Sequence, residues 1–586
     1  EVRKKLVNAL VLGVSPIDRS KGDIKTASFG LKKIDSVKGR AKFYPEFFEA
    51  CRVTSDYFIG NIGQVMNYFI PTTILEKYDD IDMPKKRVPA NTKGFFALQR
   101  PLSERIDFYK KYTSSAYKDG RSIHIVLPTI KEVRKFEKLL QSDIDNIFTL
   151  FGSDKKIIER YNNVLGSVKP ILLITTPSFL FTPRHDIGTY IVERESSSSY
   201  RTIKKPYFDI RTFTGFLARS MQCDLIFADD ILSVETIAKT SDKKTLDFKL
   251  NTEGRVLSVS DMTDKTRLHK KSFVLSEHTA SLLEKPGHTF LFTLRKGLAT
   301  QIICHDCKHV MQDNGEPLII HEKEGKRIIR NAYTRKILDG NLRCPDCGSW
   351  NFDSLGIGTE TVIEEIRKSF PKKKVFHIDK EVTSSDKKAK DIAEKFYAQA
   401  DAVLVGTEMA LAYLTEPVDN SILISMETLQ NIPSYKSYER MLHLSLAVIG
   451  VAEKNSVVQT RTPENPILRS LENNDLEEFF RQEVNRREIF GYPPFSTIIK
   501  LTHTGKDTVA SEIREVSDEN FSKYSPNIRI TRRGPNIETS IIIKIPTNCW
   551  NEGNMETPST IDPDLSRTLT GLGSEWQIRL NPENLF

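Results

Sequence analysis

Apolar and polar positions follow two rhythms along this chain. Short continuous apolar runs recur at Ile123–Leu127, Ile171–Ile174, Gly188–Val192 and Asp224–Ala228, and Leu102–Ala116 and Ile130–Leu140 carry apolar residues at helical spacing. Short β-rich runs separated by helical stretches predict a parallel sheet covered by helices. A second series repeats the theme at His288–Leu294, Lys374–Ile378, Ala402–Val405 and Ser421–Ile424, and a cysteine-bearing segment interrupts it after its first strand. From about residue 495 the pattern changes, and Ser496–Leu501, Ile541–Ile545 and Trp576–Leu580 predict a small α+β unit. Before the first series, Leu10–Leu12 and Phe43–Phe48 alternate with polar turns, and Phe58–Leu75 reads as partly helical with a break near Pro71. Residues 76–93 are charged, contain Pro84 and Pro89, and read as a linker.

Composition narrows the class. At 586 residues the chain exceeds what one hydrophobic core usually supports, so about three to five domains are expected. Apolar residues make up 39% and charged residues 28%, which excludes a mainly disordered chain, a collagen and a disulfide scaffold. No run of about 18 uncharged apolar residues occurs, so no membrane span is expected. The start, Glu1-Val2-Arg3-Lys4-Lys5, lacks a signal-peptide core and an initiator Met, which suggests a trimmed N-terminus. A net charge of +9, from 86 Lys+Arg against 77 Asp+Glu, permits a nucleic-acid partner without demanding one.

The cysteines carry more information. Cys51, Cys223 and Cys549 are scattered and read as small buried hydrophobes. The other four form two Cys-x-x-Cys pairs, Cys304/Cys307 and Cys344/Cys347, each able to place two thiolates on one metal from a tight turn. Pro345 stiffens the second loop and Gly348 follows it, as in a zinc ribbon. The 36 residues between the pairs must fold as their own excursion. A redox pair and a vestigial site are the alternatives to zinc, but a redox reading needs only one pair. His305 and His321 are possible substitute ligands, although four thiolates already fill a structural site.

Further residues then resemble a known family, the bacterial primosomal replication-restart helicases (the PriA, or primosomal protein N′, family). Arg295-Lys296-Gly297-Leu298-Ala299 before Cys304-His305-Asp306-Cys307 resembles the entry to that family's zinc domain. Cys344-Pro345-Asp346-Cys347-Gly348-Ser349 before Leu355–Glu360 resembles its exit. His377-Ile378-Asp379-Lys380, Val405-Gly406-Thr407-Glu408-Met409, Tyr438-Glu439-Arg440 and Gly491-Tyr492-Pro493-Pro494-Phe495 resemble later landmarks in the same order, and the likeness covers residues 94–586. It implies an α/β fold of two tandem RecA-like helicase lobes with a zinc-binding insertion and small flanking domains. The implied division is a shortened 3′-end DNA-binding-like domain at 1–75, a linker at 76–93, lobe 1 at 94–240, a connector and the start of lobe 2 at 241–299, the zinc insertion at 300–352, lobe 2 at 353–490 and a C-terminal domain at 491–586. The family's winged helix has no room in this division.

The resemblance breaks where an ATP-driven motor needs its chemistry. Such a motor wraps phosphates in a Gly-rich loop, reaches them with Lys, and holds magnesium with Ser/Thr and Asp. No Gly-x-x-x-x-Gly-Lys-Ser/Thr occurs, and the matching stretch is Gln99–Tyr109, where Ser103, Glu104, Arg105 and Ile106 occupy the cradle positions. Glu104 would repel phosphate, Arg105 replaces the lysine, and Ile106 cannot bind magnesium. The family's Asp-Glu-Glu-His is matched by Glu193-Arg194-Glu195-Ser196, so Arg194 replaces the carboxylate that would orient water. Ala228-Asp229-Asp230-Ile231 stands for Gly-Ser-Ala-Thr, and Leu446–Glu453 stands for a motif with two arginines, both absent. The family's eight cysteines shrink to four, which implies one zinc on Cys304, Cys307, Cys344 and Cys347.

The expected function is a cytoplasmic replication-restart (primosome) protein that binds forked or junction DNA without ATP hydrolysis, with no catalytic residues and no ATP cofactor. Primosome and replicative-helicase-loading proteins are the expected partners, with single-stranded DNA-binding protein as a further candidate. Lys118, Arg121, Lys204, Arg211, Arg295, Lys296 and Lys372–Lys374 are the candidate phosphate contacts. The alternatives are an ATP-dependent 3′-to-5′ helicase that uses the retained Glu193 and Glu195, and a protein-docking module without a DNA role.

Overall fold

The computed structural model describes residues 43–82, 92–154, 156–240, 246–249, 256–262, 274–293, 301–306, 311–313, 316–323, 326–331, 337–338, 342–355, 358–380, 383, 385–426, 434–505, 509–533, 536–573 and 575–585. Leu10–Leu12, Arg295–Ala299, Cys307 and most of the proline-bearing linker lie outside them. The chain forms two compact units. The first comprises the described residues up to Asp247 with Thr547–Gly571 and Ile578–Leu580; the second comprises those of Phe248–Pro546, Leu572–Gln577 and Asn581–Phe586.

The first unit opens with helices α1 (Pro45–Tyr57), α2 (Ile62–Phe69) and α3 (Thr72–Glu76). Pro45 starts α1 where a missing N–H costs nothing, and the Asn61 side chain caps α2 by accepting from the Gly63 and Gln64 amides. Pro71 breaks the helical run, as the sequence pattern predicts. A parallel sheet follows, built from β1 (Phe95–Gln99), α4 (Leu102–Lys118), β2 (Ser122–Val126), α5 (Ile130–Leu140), β3 (Ile147–Leu150), α6 (Ile157–Gly166), β4 (Leu172–Thr175), β5 (Ile187–Glu193), α7 (Ile210–Met221), β6 (Asp224–Asp229) and α8 (Val234–Lys239). The strand order is β1-β6-β5-β2-β4-β3, every pair parallel. Continuous apolar runs suit strands covered on both faces, and Ile123, Ile125, Leu172, Ile174 and Ile191 are buried in one cluster.

The early helices dock on this sheet through aromatic rings. Phe213 of α7 stacks on Phe69 at 3.9 Å and meets Phe47 edge-on at 6.1 Å. All three rings are buried, and each such burial stabilises by ~1.5–3 kcal/mol. Beyond α3, Tyr78–Asp80 forms a 3-10 turn tied to α6, where the Asn162 side chain donates to the Asp80 carbonyl and accepts from the Asp82 amide.

The second unit holds the second parallel sheet. Its strands are β7 (Val256–Asp261), β8 (His288–Phe292), β15 (Lys374–Ile378), β16 (Ala402–Gly406), β17 (Val418–Leu423) and β18 (Ala452–Thr460), in the order β15-β16-β8-β17-β18-β7, all parallel. Between β8 and β15 an antiparallel excursion is built from β9 (Gln301–Cys304), β10 (Gln312–Asp313), β11 (Glu316–Lys323), β12 (Lys326–Asn331), β13 (Ile337–Leu338) and β14 (Phe352–Leu355). Strands β19 (Ser496–Gly505), β20 (Asn527–Arg533) and β21 (Asn536–Pro546) pair antiparallel in the order β20-β21-β19. Two parallel six-stranded sheets give the α/β architecture of two RecA-like lobes. Among the described residues, no helix is long and apolar enough to cross a membrane.

Candidate functional site

In open parallel sheets, ligands bind beyond the carboxyl ends of the strands. In the first unit, adjacent strands β1, β6 and β5 end at Gln99, Asp229 and Glu193, with Gln99 opposite Asp229 and Glu193 opposite Ala228. Only Arg100 and Pro101 separate β1 from α4. Two residues cannot wrap a triphosphate with backbone N–H groups, as a Gly-rich loop does.

The stretch that stands in the place of a phosphate cradle divides by direction. Ser103 and Glu104 face solvent in the first turn of α4, and Glu104 reaches Arg100 at 3.8 Å. Ile106 is buried in the lobe core. Arg105 turns inward and is fully buried. Its guanidinium grips the Glu193 carboxylate at 2.7 Å from Nη2 and at 3.1 and 3.3 Å from Nε, and Nη1 reaches Asp230 Oδ1 at 2.9 Å and the Arg100 carbonyl. Tyr109, one helical turn on and also buried, donates to the second Glu193 oxygen. Burial pushes the Glu193 carboxyl up to about 7, while Arg105 and Tyr109 pull the other way. Burial also opposes the Arg105 charge, but Glu193 and Asp230 outweigh it and hold that group above its ordinary value.

The neighbours are committed as well. Arg194 adopts a left-handed backbone at φ 59° and reaches Glu132 at 3.3 Å and Asp229 at 3.9 Å. Asp229 accepts from the Ser196 amide and hydroxyl at 2.9 and 2.6 Å. Glu195 accepts from the Ser233 amide at 2.8 Å, the Ser233 hydroxyl at 2.8 Å, the Thr236 hydroxyl at 3.0 Å and Arg211 at 3.3 Å. It anchors the N-terminus of α8. Sequence reasoning does not single out Tyr109 and Asp230 as partners of this cluster. A signal for Tyr109 exists, because residues four apart share a helix face.

The second cluster is sulfur. Cys304 ends β9, opposite Phe352 of β14, and Cys344 and Cys347 lie in the turn before β14. That turn closes through Gly348 N to Cys344 O at 2.9 Å and Cys344 N to Ser349 O at 2.8 Å, with Gly348 at φ 73° where a side chain would strain the backbone. The three Sγ atoms lie within 4.8 Å of one another, Cys304 and Cys347 being 3.4 Å apart. Tetrahedral thiolate coordination at Zn–S of about 2.3 Å sets neighbouring sulfurs about 3.8 Å apart, so the spacing suits one thiolate-bound metal. Cys307 lies outside the described residues. His305 is exposed, and His321 sits on β11 opposite Ile328.

The basic candidates separate. Lys118, Lys204, Lys372 and Lys374 are exposed or half-buried at the surface. Arg121 pairs with Asp119 at 2.6 Å, and Lys373 pairs with Asp401. Arg211 is corrected: it is buried on Asp209 at 2.6 Å and on Glu195, so it is a structural cation and not a surface phosphate contact.

The Arg105 cluster makes its own demands on stability. Arg105→Ala strands a buried carboxylate and is expected to cost about 3–5 kcal/mol in urea unfolding, whereas the double substitution Arg105→Met with Glu193→Leu, which removes both charges, costs less. Burial lifts folded Glu193 from 4.5 to about 7, so the folded chain holds that proton more tightly than the unfolded chain. Its contribution to stability is complete below about 4.5 and is lost as pH rises through about 7. Glu193→Gln should flatten that part of the stability–pH curve, and an unchanged slope would refute the assignment.

No protein-family model matches the chain. The chain is 24% identical over 447 residues to the replication restart protein PriA of Haemophilus influenzae, covering 73% of this chain and 61% of that protein. It is 23% identical over 461 residues to PriA of Bacillus subtilis, covering 75% and 57%. Against PriA of Treponema pallidum it is 22% identical over 538 residues, covering 84% and 80%. The chain thus spans about three fifths of the length of the first two relatives. Among solved structures, RecG bound to a three-way DNA junction aligns at a TM-score of 0.34 and 12% identity, over 75% of this chain and 52% of that one. The fold assignment stands on the two parallel sheets and not on that alignment. Over most of its length the chain is similar to the PriA replication restart proteins.

Proposed function

We propose that this chain is a replication-restart protein that holds forked or branched DNA and does not hydrolyse ATP. The observation that carries the reading is the Arg105–Glu193 pair, 2.7 Å apart and fully buried, at the carboxyl edge of a lobe whose β1–α4 connection is two residues long. A motor needs that edge open to phosphates and magnesium. Here a guanidinium consumes the one retained carboxylate that could hold a metal, and Glu195 is consumed by Ser233, Thr236 and Arg211. The exposed lysines leave DNA to be held by phosphate contacts.

In this reading the sulfur cluster binds one structural zinc through Cys304, Cys344 and Cys347, with Cys307 as the fourth thiolate. Zinc there supplies folding free energy to a small antiparallel module and no chemistry. A cytoplasmic setting, and partners that load the replicative helicase, belong to the same proposal.

Forked DNA is expected to bind more tightly than plain duplex, with affinity falling steeply as salt rises, and no phosphate release above background is expected with ATP and DNA present. DNA-stimulated phosphate release abolished by Glu195→Gln would establish the helicase alternative instead. Metal analysis of the purified chain is expected to find one zinc per chain, lost in Cys344→Ser; a metal-free chain that keeps the same thermal transition would remove zinc from the account.

A further inference from the structure

We propose that Cys347 is an oxidation site for hydroperoxides, and that Cys304 captures its oxidised sulfur in a reversible disulfide that takes two ligands from the metal. The proposal rests on the zinc reading above and adds a reaction of the thiols to it. Both residues lie in the second unit. Their Sγ atoms are 3.4 Å apart, although the residues are 43 positions apart in the chain. Cys304 ends β9 and Cys347 lies in the turn before β14, and these two strands pair antiparallel with Phe352 opposite Cys304.

Burial gives the cysteines different roles. Thiol oxidation needs a thiolate within reach of solvent and a second thiol beside it to resolve the product. A cysteine that ligates metal is already in the thiolate form. In the described cluster Cys304 and Cys344 are buried and Cys347 is exposed. Cys347 is therefore the point of attack, and Cys304 at 3.4 Å is the resolving partner. Elsewhere, Cys51 and Cys223 are buried, and burial pushes both thiols well up, so they are poor competitors for the oxidant. The antiparallel module also needs a staple. Its described core cluster is Ile302, Cys304, Met311, Leu318 and Cys344, and a core that small depends on a metal or a disulfide. A Cys304–Cys347 bond ties β9 to the turn that the metal ties, so the oxidised module keeps one link between them.

The chemistry balances in two steps. The Cys347 thiolate attacks one peroxide oxygen; an S–O bond forms, the O–O bond breaks, and hydroxide leaves with the electron pair. The product is the Cys347 sulfenic acid. The Cys304 thiolate then attacks that sulfur; the S–S bond forms, the S–O bond breaks, and a second hydroxide leaves. Two thiolates have lost two electrons in total, and one hydrogen peroxide has been reduced to two hydroxides, which take protons from solvent. A thiol reductant reverses the second product by exchange and restores both ligands.

The test is hydrogen peroxide treatment of the full chain after its zinc content has been measured. A protease that cuts before aspartate separates all four cysteines, because Asp306 lies between Cys304 and Cys307 and Asp346 between Cys344 and Cys347. Mass spectrometry of that digest should find a reducible cross-link between the Cys304 and Cys347 peptides. Two of the seven thiols should be lost, zinc should pass to a chromogenic chelator on the same time course, and dithiothreitol should return both thiols. Cys304→Ser should leave Cys347 as a sulfenic acid that dimedone traps. The cross-link in the parent needs no variant, so a misfolded Cys304→Ser leaves the proposal testable. A bond between Cys344 and Cys347, or between Cys304 and Cys307, would overturn it, as would Cys347 sulfinic acid beside a reduced Cys304. If zinc is present and no Cys304–Cys347 bond forms, the oxidation site falls and the zinc reading stands. If the bond forms in a chain that never held zinc, the oxidation site stands and the zinc reading falls.

Discussion

An arginine and a glutamate removed together from water govern the first lobe. Placing either charge alone in a protein interior costs several kcal/mol. Arg105 and Glu193 coexist there because nearly every polar direction is used: three guanidinium contacts to the carboxylate, further contacts to Asp230 and the Arg100 carbonyl, and the Tyr109 hydroxyl on Oε2, which also accepts from Arg105 Nε. The short β1–α4 connection follows from the same arrangement. With only Arg100 and Pro101 between strand and helix, the start of α4 lies close over the ends of β5 and β6, which is where Arg105 must sit to reach both carboxylates. A longer glycine loop would lift the helix away, and the buried charges would lose each other. In the proposed reading, this ion pair occupies the place that a phosphate cradle would need.

Much of the architecture is legible because buried parallel strands write themselves as apolar runs. Ile130–Leu140 and Lys374–Ile378 match their elements to the residue. The misses have physical causes. Ile147–Leu150 is short and mostly half-buried at the sheet edge, and Ala452–Thr460 begins with polar residues before its buried half, so neither gives a continuous apolar signal. Side-chain direction is the larger gap. An arginine in a helix reads as solvated surface, yet Arg105 and Arg211 are both interior cations. Their partners lie 88 and 16 residues away for Glu193 and Glu195, and only the fold brings them together. The reverse holds for sulfur, where Cys-x-x-Cys spacing is local and the convergence of Cys304 with Cys344 and Cys347 is visible in advance.

One buried aromatic in the segment Thr547–Gly571 has a consequence for biosynthesis. Trp550 is fully buried, packs against Tyr57 at 6.2 Å and belongs with Thr547–Gly571 to the first unit, where Glu552 also meets Lys239 and Thr212. About three hundred residues of the second unit intervene in the chain. During synthesis the first lobe must wait, with the Tyr57 face and the end of α8 uncovered, until Thr547–Gly571 has left the ribosome. The first unit is thus completed by a segment that follows the second in the chain, and a nascent chain arrested before residue 547 would expose aromatic surface that the folded first unit hides.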